Sequence, residues 1–333
     1  MNILDQNEAQ RGQIILGAAG ALFAAYQCGL LQVLVDGGGS LEALANRCNL
    51  NVRSLHAELG VLQNLGFASR EENQWTAGFA LTELREGPIQ SLEQLFTFWS
   101  YLSTFLRTGK PMFSSDGEIT DRGSIYSKTV QGLAVLFEAN AADLAGRIEE
   151  VDSSRGVTAP ECIIDVGAGS AVWSLEMCRR SEKTRVTVLD LPEVIGLARN
   201  RAEMLELNDR LDLMEGDMHS MDLPEGCFDR VVVANVLHLE QPEIAKKMVA
   251  RLSRCLKPSG TFVIIDAMPA DKGPNLSEAV YALHLSMRTD KGQVHSLSTL
   301  RCWLSAAGLE PGPHLEPTKG HLSIGALLGF VPA

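Results

Sequence analysis

The sequence predicts an α/β protein, a Rossmann-like doubly wound sheet in the C-terminal part behind a mostly helical N-terminal region. Three observations carry this. Ile163-Ile164-Asp165-Val166 runs straight into Gly167-Ala168-Gly169, the pattern of a strand, a tight glycine turn and a helix start. A second apolar run, Arg185-Val186-Thr187-Val188-Leu189, also ends in an acid, Asp190. From Glu161 onward short apolar runs alternate with helix-like stretches, which is the pattern of βαβ units in a parallel sheet.

Residues 13–35 contain no charged side chain, a length that suggests a membrane span. Gln13, Gln27, Gln32 and several glycines argue against one, and Asp5 and Glu8 stand where a secretory signal is basic. A buried helix is expected instead. A helix apolar on all sides needs a covering partner, so the stretch points to a homodimer formed through the N-terminal domain, and not to a membrane. Ser40 is placed to cap a helix over 41–47. A turn at 49–51 leads to a second helix over 52–65, stopped by Gly66. Residues 67–70 and 74–76 make a small hairpin. This order is winged-helix organisation. The second helix carries Arg53 and Glu58, which cancel, so it offers no cationic face to phosphates. Packing and dimerisation are the expected use, rather than DNA recognition.

Residues 89–150 read as helical, with Phe96, Phe98, Trp99, Tyr101, Phe105, Met112 and Phe113 clustered as expected core. A connector between domains is also where ligand clefts form. The polar, turn-rich stretch 152–160 is the expected boundary. The predicted organisation is therefore 1–108 winged-helix-like, 109–158 helical connector and 159–333 Rossmann-like. In the last of these, a helix over 172–180 follows the glycine turn. Further strands are expected at 211–214, 229–234, 261–266 and 322–330. Helices are expected at 242–256, with Ile244, Met248, Leu252 and Leu256 on one face, and at 299–307, stopped by Gly308.

The chemistry of the glycine turn narrows its ligand. A dinucleotide fingerprint needs a small third residue after Gly-x-Gly, and here Val172 stands there. Asp165 just before the turn repels a pyrophosphate and suits a cation. S-adenosylmethionine carries a sulfonium and an ammonium and has no phosphate, and Asp190 can accept hydrogen bonds from two ribose hydroxyls. The net charge of −12 disfavours nucleic acid as a partner. Seven scattered cysteines, an odd number with no Cys-x-x-Cys, fit a reducing cytoplasm better than disulfides or zinc.

With these residues in place, the chain resembles the class I S-adenosylmethionine-dependent methyltransferases. More narrowly, it resembles the small-molecule O-methyltransferases with an N-terminal winged-helix dimerisation domain. The resemblance covers nearly the whole chain. It is carried by Asp165-Val166-Gly167-Ala168-Gly169, Leu189-Asp190-Leu191-Pro192-Glu193-Val194, Gly216-Asp217-Met218 and Val236-Leu237-His238. It implies that Asp165, Gly167 and Gly169 line the methionine end of the cofactor, that Asp190 binds the ribose and that Leu191 packs on the adenine. Asp217 would meet the adenine amino group with Met218 against the ring, and Asn235 joins this cofactor-binding set. Ala171 stands where the family commonly has a third glycine.

The resemblance makes His238 the general base, which would take the proton of the acceptor hydroxyl as the methyl transfers. The family's His-Asp-Trp is not kept, because Leu239 and Glu240 follow. Its orienting glutamate is absent as well, since the matching stretch is Gly292-Gln293-Val294-His295-Ser296. Either Glu278, His284 or His295 replaces it, or deprotonation matters less here. His284, Met287 and His295 fall where the family lines its substrate pocket. Ala234 and Asn235 stand where a magnesium-dependent enzyme needs acids, so no metal is expected. The expected protein is a cytoplasmic, homodimeric enzyme that methylates a hydroxyl of an aromatic or polyketide-like small molecule. The alternatives are C- or N-methylation on the same fold, a relative that binds the cofactor without transferring methyl, and a regulator that uses the winged helix.

Overall fold

The computed structural model describes residues 8–86, 92–112, 119–269, 273–318 and 324–332. The chain divides into two compact units, Met1–Tyr101 and Leu102–Ala333.

In the first unit, α1 (Glu8–Gln27), α2 (Leu30–Val35), α3 (Leu41–Cys48) and α4 (Val52–Asn64) precede a hairpin of β1 (Ala68–Glu71) and β2 (Gln74–Ala77). Helices α5 (Phe79–Glu86) and α6 (Leu92–Ser100) follow. The expected Ser40 cap is present, and Asn51 caps the next helix. Ser40 Oγ accepts the Ala43 N–H at 3.2 Å, and Asn51 Oδ1 accepts the Ser54 N–H at 3.1 Å. Leu55, Leu59 and Leu62 of α4 fall on one helical stripe and are fully buried with Leu30, Leu31 and Leu34 of α2. Phe96 joins this core, stacked on Tyr26 at 4.2 Å. Phe113, the last of the expected aromatic cluster, lies outside the described residues.

The buried helix expected over 13–35 is corrected. The chain turns at Gly29, in the left-handed region at φ 71°, so the stretch is two helices: α2 is buried, and α1 joins the same core only through its C-terminal part, with Ala25 buried and Leu22, Phe23 and Tyr26 partly so. On α1, Ile14, Ile15 and Leu16 are 38%, 45% and 76% exposed. The reason lies in composition. Alanine and glycine fill α1 without forming an apolar stripe, whereas α2 carries three leucines on one face. Among the described residues no helix is long and apolar enough to cross a membrane.

The second unit opens with α7 (Leu102–Thr108) and the long α8 (Ile119–Ser154). Then come β3 (Cys162–Val166), α9 (Val172–Arg179), β4 (Arg185–Asp190), α10 (Gly196–Met204) and β5 (Leu211–Glu215). The second half holds β6 (Phe228–Ala234), α11 (Pro242–Leu252), β7 (Leu256–Asp266), α12 (Leu276–Arg288), α13 (Leu297–Ala306), β8 (Glu310–Leu315) and β9 (Gly325–Phe330). The sheet order is β5-β4-β3-β6-β7-β9-β8, with β5 to β7 parallel and β9 and β8 antiparallel. The connections run one way from β3 through β5 and the other way from β6 onward. The switch between β3 and β6 is where such sheets open a crevice at their strands' carboxyl ends.

Alternation along β3 feeds two cores. Ile163 joins Leu144 and Ile148 of α8 and Leu175 of α9 on one face. Ile164 and Val166 join Met248 and Leu252 of α11 and Trp303 of α13 on the other. Over its described residues, the stretch expected as a connector belongs to this second unit. Asp152, expected in a polar boundary, is instead buried in α8, where it pairs with Arg230 of β6 and accepts a hydrogen bond from Thr261 Oγ1 at 3.2 Å. Three elements were not foreseen: α10, α12 and β8. Pro311 and Pro313 mask the strand character of β8. Proline is tolerated there because β8 is an edge strand. The last strand begins at Gly325, and residues 322–323 of the expected run lie outside the described ones.

Candidate active site

Three acids stand at or just beyond the carboxyl ends of the neighbouring strands β3, β4 and β5. Asp165 stands near the carboxyl end of β3, Asp190 ends β4, and Asp217 follows β5. Gly167 adopts φ +67°, and a Cβ there would lie 2.7 Å from Val236 Cγ2, so both conformation and space require glycine. Gly169 is also in the left-handed region, which turns its N–H onto Asp190 Oδ2 at 2.7 Å. Asp190 Oδ1 accepts the Leu191 N–H at 2.7 Å. Each carboxylate oxygen keeps a second lone pair, so the two can still accept from vicinal hydroxyls. Burial pushes the Asp190 carboxyl up, against the pull of its two backbone N–H donors.

Asp165 is fully buried. Oδ2 accepts from Ser174 Oγ at 2.5 Å, while Oδ1 has no hydrogen-bond partner. Its carboxyl is pushed up to about 7, first by burial, with the Asp190 charge adding to the rise and the Ser174 hydroxyl opposing it. Asp217 is exposed and accepts from the His219 N–H at 2.9 Å. Met218 holds its sulfur against the Gly167 turn, and Arg251 anchors its carbonyl. Leu191 is 45% exposed beside Asp190. Asn235, at φ 56°, donates its N–H to the Ile265 carbonyl at 2.8 Å.

This donor set fits S-adenosylmethionine. It combines a carboxylate able to take a ribose diol, an orphaned buried carboxyl oxygen beside a glycine turn, and apolar Leu191 and Met218 for a ring. Asp165 and Asp190 at the turn disfavour the charge of a pyrophosphate. Among the described residues no cluster of three or more His, Cys, Asp or Glu could hold a metal ion.

His238 sits in a short turn after β6 and is 7% exposed. Its Nδ1 lies 2.6 Å from Asp266 Oδ1, at the end of β7, and its backbone N–H reaches Asp266 Oδ2 at 3.2 Å. A carboxylate accepts, so Nδ1 carries a proton, and in the neutral ring the free lone pair is then on Nε2. Asp266 thus stands where an acid could orient the ring. The three expected substitutes are otherwise engaged. Glu278 closes the capping box of α12 with Asn275. His295 donates Nε2–H to the Leu237 carbonyl at 3.0 Å and packs on Trp303, which braces the His238 turn from behind. His284 sits on α12, where burial, then the Arg288 charge, lower it to about 4.

Reading by local motif missed Asp266 because it lies 28 residues from His238. The available signal was parallel pairing of β6 with β7, which brings both strand ends together. Tyr281 was missed as well. Its ring stands edge-on to His238 at 6.1 Å, and burial, then the Asp266 charge, push its hydroxyl up, so it stays protonated. Met287 has no exposed surface, and its carbonyl accepts the Met112 N–H, so it supports α12 from behind. An open depression of about 610 Å³ lies beside the α12–α13 loop, lined by Phe105, Gln241, Lys291 and Gln293 among others. It includes none of His284, Met287 and His295.

Comparison with known proteins agrees with this geometry. The family model described as an O-methyltransferase domain matches residues 126–310, more than half of the chain. The tetracenomycin polyketide synthesis 8-O-methyltransferase of Streptomyces glaucescens is 24% identical over 86% of this chain and 86% of its own length. The 3-hydroxy-5-methyl-1-naphthoate 3-O-methyltransferase of Streptomyces sahachiroi is 25% identical over 86% of this chain and 84% of its own. The crystal structure of human N-acetylserotonin methyltransferase in complex with S-adenosylmethionine superposes with a TM-score of 0.66 at 19% identity, covering 99% of each chain. The chain belongs to the family of S-adenosylmethionine-dependent O-methyltransferases.

Proposed function

We propose that the protein methylates a hydroxyl group of an aromatic or polyketide-like small molecule, with His238 as general base and Asp266 as the residue that positions it. The observation that carries this is the 2.6 Å contact between His238 Nδ1 and Asp266 Oδ1. It restores the oriented base that the missing glutamate had left in doubt, and so favours oxygen over carbon or nitrogen as the acceptor atom. The Streptomyces relatives, of polyketide synthesis and of a hydroxynaphthoate, support the acceptor class.

S-adenosylmethionine supplies an activated methyl group. The chain's own residues bind, orient and deprotonate. Asp190 takes the ribose hydroxyls, Leu191 and Met218 flank the adenine, and Asp217 meets its amino group. Asp165, Gly167 and Gly169 surround the methionine end. His238 Nε2 removes the proton of the acceptor hydroxyl, and Asp266 stabilises the imidazolium that results. Proximity and alignment of acceptor and methyl supply the rest of the acceleration. Tyr281 and His284, on one face of α12, line the acceptor side. The first unit is proposed as a winged-helix-like module that pairs two copies through the exposed apolar residues of α1.

The test is methyl transfer from S-adenosylmethionine labelled with carbon-13 to hydroxynaphthoates and hydroxyanthraquinones, read by carbon NMR. Signals at O-methyl shifts, lost in His238→Ala, are the expected result. C-methyl signals, or full activity in His238→Ala, would overturn the assignment.

A further inference from the structure

Asp165 is a carboxyl with no exposed surface and no cation beside it. Its pairing residues on the neighbouring strands are Val188 of β4 and Val232 of β6, both apolar. From α9 it meets the Ser174 hydroxyl at 2.5 Å, and the one charged group acting on it is another acid, Asp190. Oδ1 is buried and unpartnered. An ionised carboxylate in such a place is costly, because burial penalises the charge, no cation stands opposite, and the hydroxyl and backbone hydrogen bonds of Ser174 offset the penalty only in part. A protonated carboxyl is tolerated. Two residues further on lies the turn of Gly167.

We propose that Asp165 and Ser174 form a proton-exchange pair for the cofactor: in the free protein Asp165 holds a proton, and the entering cationic ligand displaces it to solvent. This rests on the reading that the glycine turn receives the methionine end of S-adenosylmethionine. The exchange is balanced. The O–H bond of the Asp165 carboxylic acid breaks, its proton leaves to buffer, and the carboxylate then faces the ligand's ammonium. Ser174 Oγ–H keeps one oxygen hydrogen-bonded in both states.

The proposal has a pH signature. Asp165 rises to about 7 in the free protein, so ligand affinity falls below that pH by up to about tenfold per unit. Asp190, whose carboxyl is raised less, is the other group that titrates toward the site from β4.

The experiment is calorimetric titration with S-adenosylmethionine and S-adenosylhomocysteine in phosphate and in imidazole buffers, which differ in ionisation enthalpy. At pH about 7 the expected result is release of about half a proton per ligand bound, fading above pH about 9. Asp165→Asn should abolish the release and flatten affinity between pH 6 and 8. Ser174→Ala should keep the release and move its midpoint upward, because the hydroxyl lowers the Asp165 pKa. Tight binding with the same heat in both buffers at pH 7 overturns the proposal while leaving the cofactor assignment intact. Unchanged release in Asp165→Asn overturns it too. No binding of either ligand by the wild type overturns the cofactor assignment, and the exchange with it.

Discussion

In the proposed mechanism His238 works as a base only while its Nε2 lone pair faces the acceptor, and the contact of Nδ1 with Asp266 Oδ1 would secure that orientation. Asp266→Asn removes the charge and allows the wrong tautomer, so kcat should fall by on the order of 10²–10⁴. The calorimetric Kd for S-adenosylhomocysteine should not change. A similar loss of cofactor affinity would mean that Asp266 merely holds the fold. Two other groups, Asp165 fully buried and His284 partly so, set the stability of the ligand-free protein in opposite senses. Asp165 rises from 3.8 to about 7, so the folded state holds the extra proton between those values and stability falls as pH rises through them. Asp165→Asn should therefore stabilise the ligand-free protein at pH 8, by about 2–4 kcal/mol at most, and have almost no effect below pH about 4. His284 is lowered from 6.5 to about 4, so its contribution is complete above 6.5 and lost as pH falls toward 4. His284→Gln should remove up to about 3 kcal/mol of that acid sensitivity in denaturant titrations. Local sequence located Asp165, Asp190 and His238 because each sits at or beside a strand end in a recognisable run. Asp266 and Tyr281 were invisible to the same reading. Their roles come from pairing across the sheet and from the packing of α12, and neither leaves a mark in adjacent residues.

Helix α12 carries Tyr281 and His284, and its start is fixed by a complete capping box. Asn275 Oδ1 accepts the Glu278 N–H at 3.0 Å, and Glu278 Oε2 accepts the Asn275 N–H at 2.8 Å. Asn275→Ala should cost about 1 kcal/mol, read as a lower denaturation midpoint. It should also raise the acceptor KM while leaving the cofactor Kd alone, because the frayed turn lies one helical turn from Tyr281. An unchanged KM would take α12 out of the acceptor site. The same helix shows why some elements were legible and others not. The strands β3, β4, β6 and β7 are apolar runs bounded by acids, glycine or proline, and a parallel interior strand has to look like that. The cap Ser40 announces α3, and the turn at 49–51 and Gly66 bound α4. β8 was hidden by Pro311 and Pro313, which only its place at the edge permits. The α1–α2 break was hidden because Gly29 lies in a run already rich in glycine and alanine, where nothing marks which glycine takes a positive φ.

The two compact units of the chain pose different problems. The second buries its apolar surface on both faces of a seven-stranded sheet. The first leaves Ile14, Ile15 and Leu16 exposed on α1. Three exposed aliphatic residues in a stretch without charges between Gln13 and Val35 are what the proposed pairing of two copies would cover. A second copy of the chain is the occupant that needs no other partner. A two-fold contact would set the same residues against each other across the axis. Each aliphatic side chain buried there contributes on the order of 1–2 kcal/mol, so a pair of α1 helices can outweigh the repulsion of two chains that each carry −12. Ile15→Glu with Leu16→Glu places two buried anions in each copy at that contact. Light scattering after size exclusion should then give the mass of one chain, 36.1 kDa, where the wild type gives twice that mass. Wild-type protein that is already monomeric at micromolar concentration would remove the dimer. A double variant that stays dimeric would move the contact away from α1.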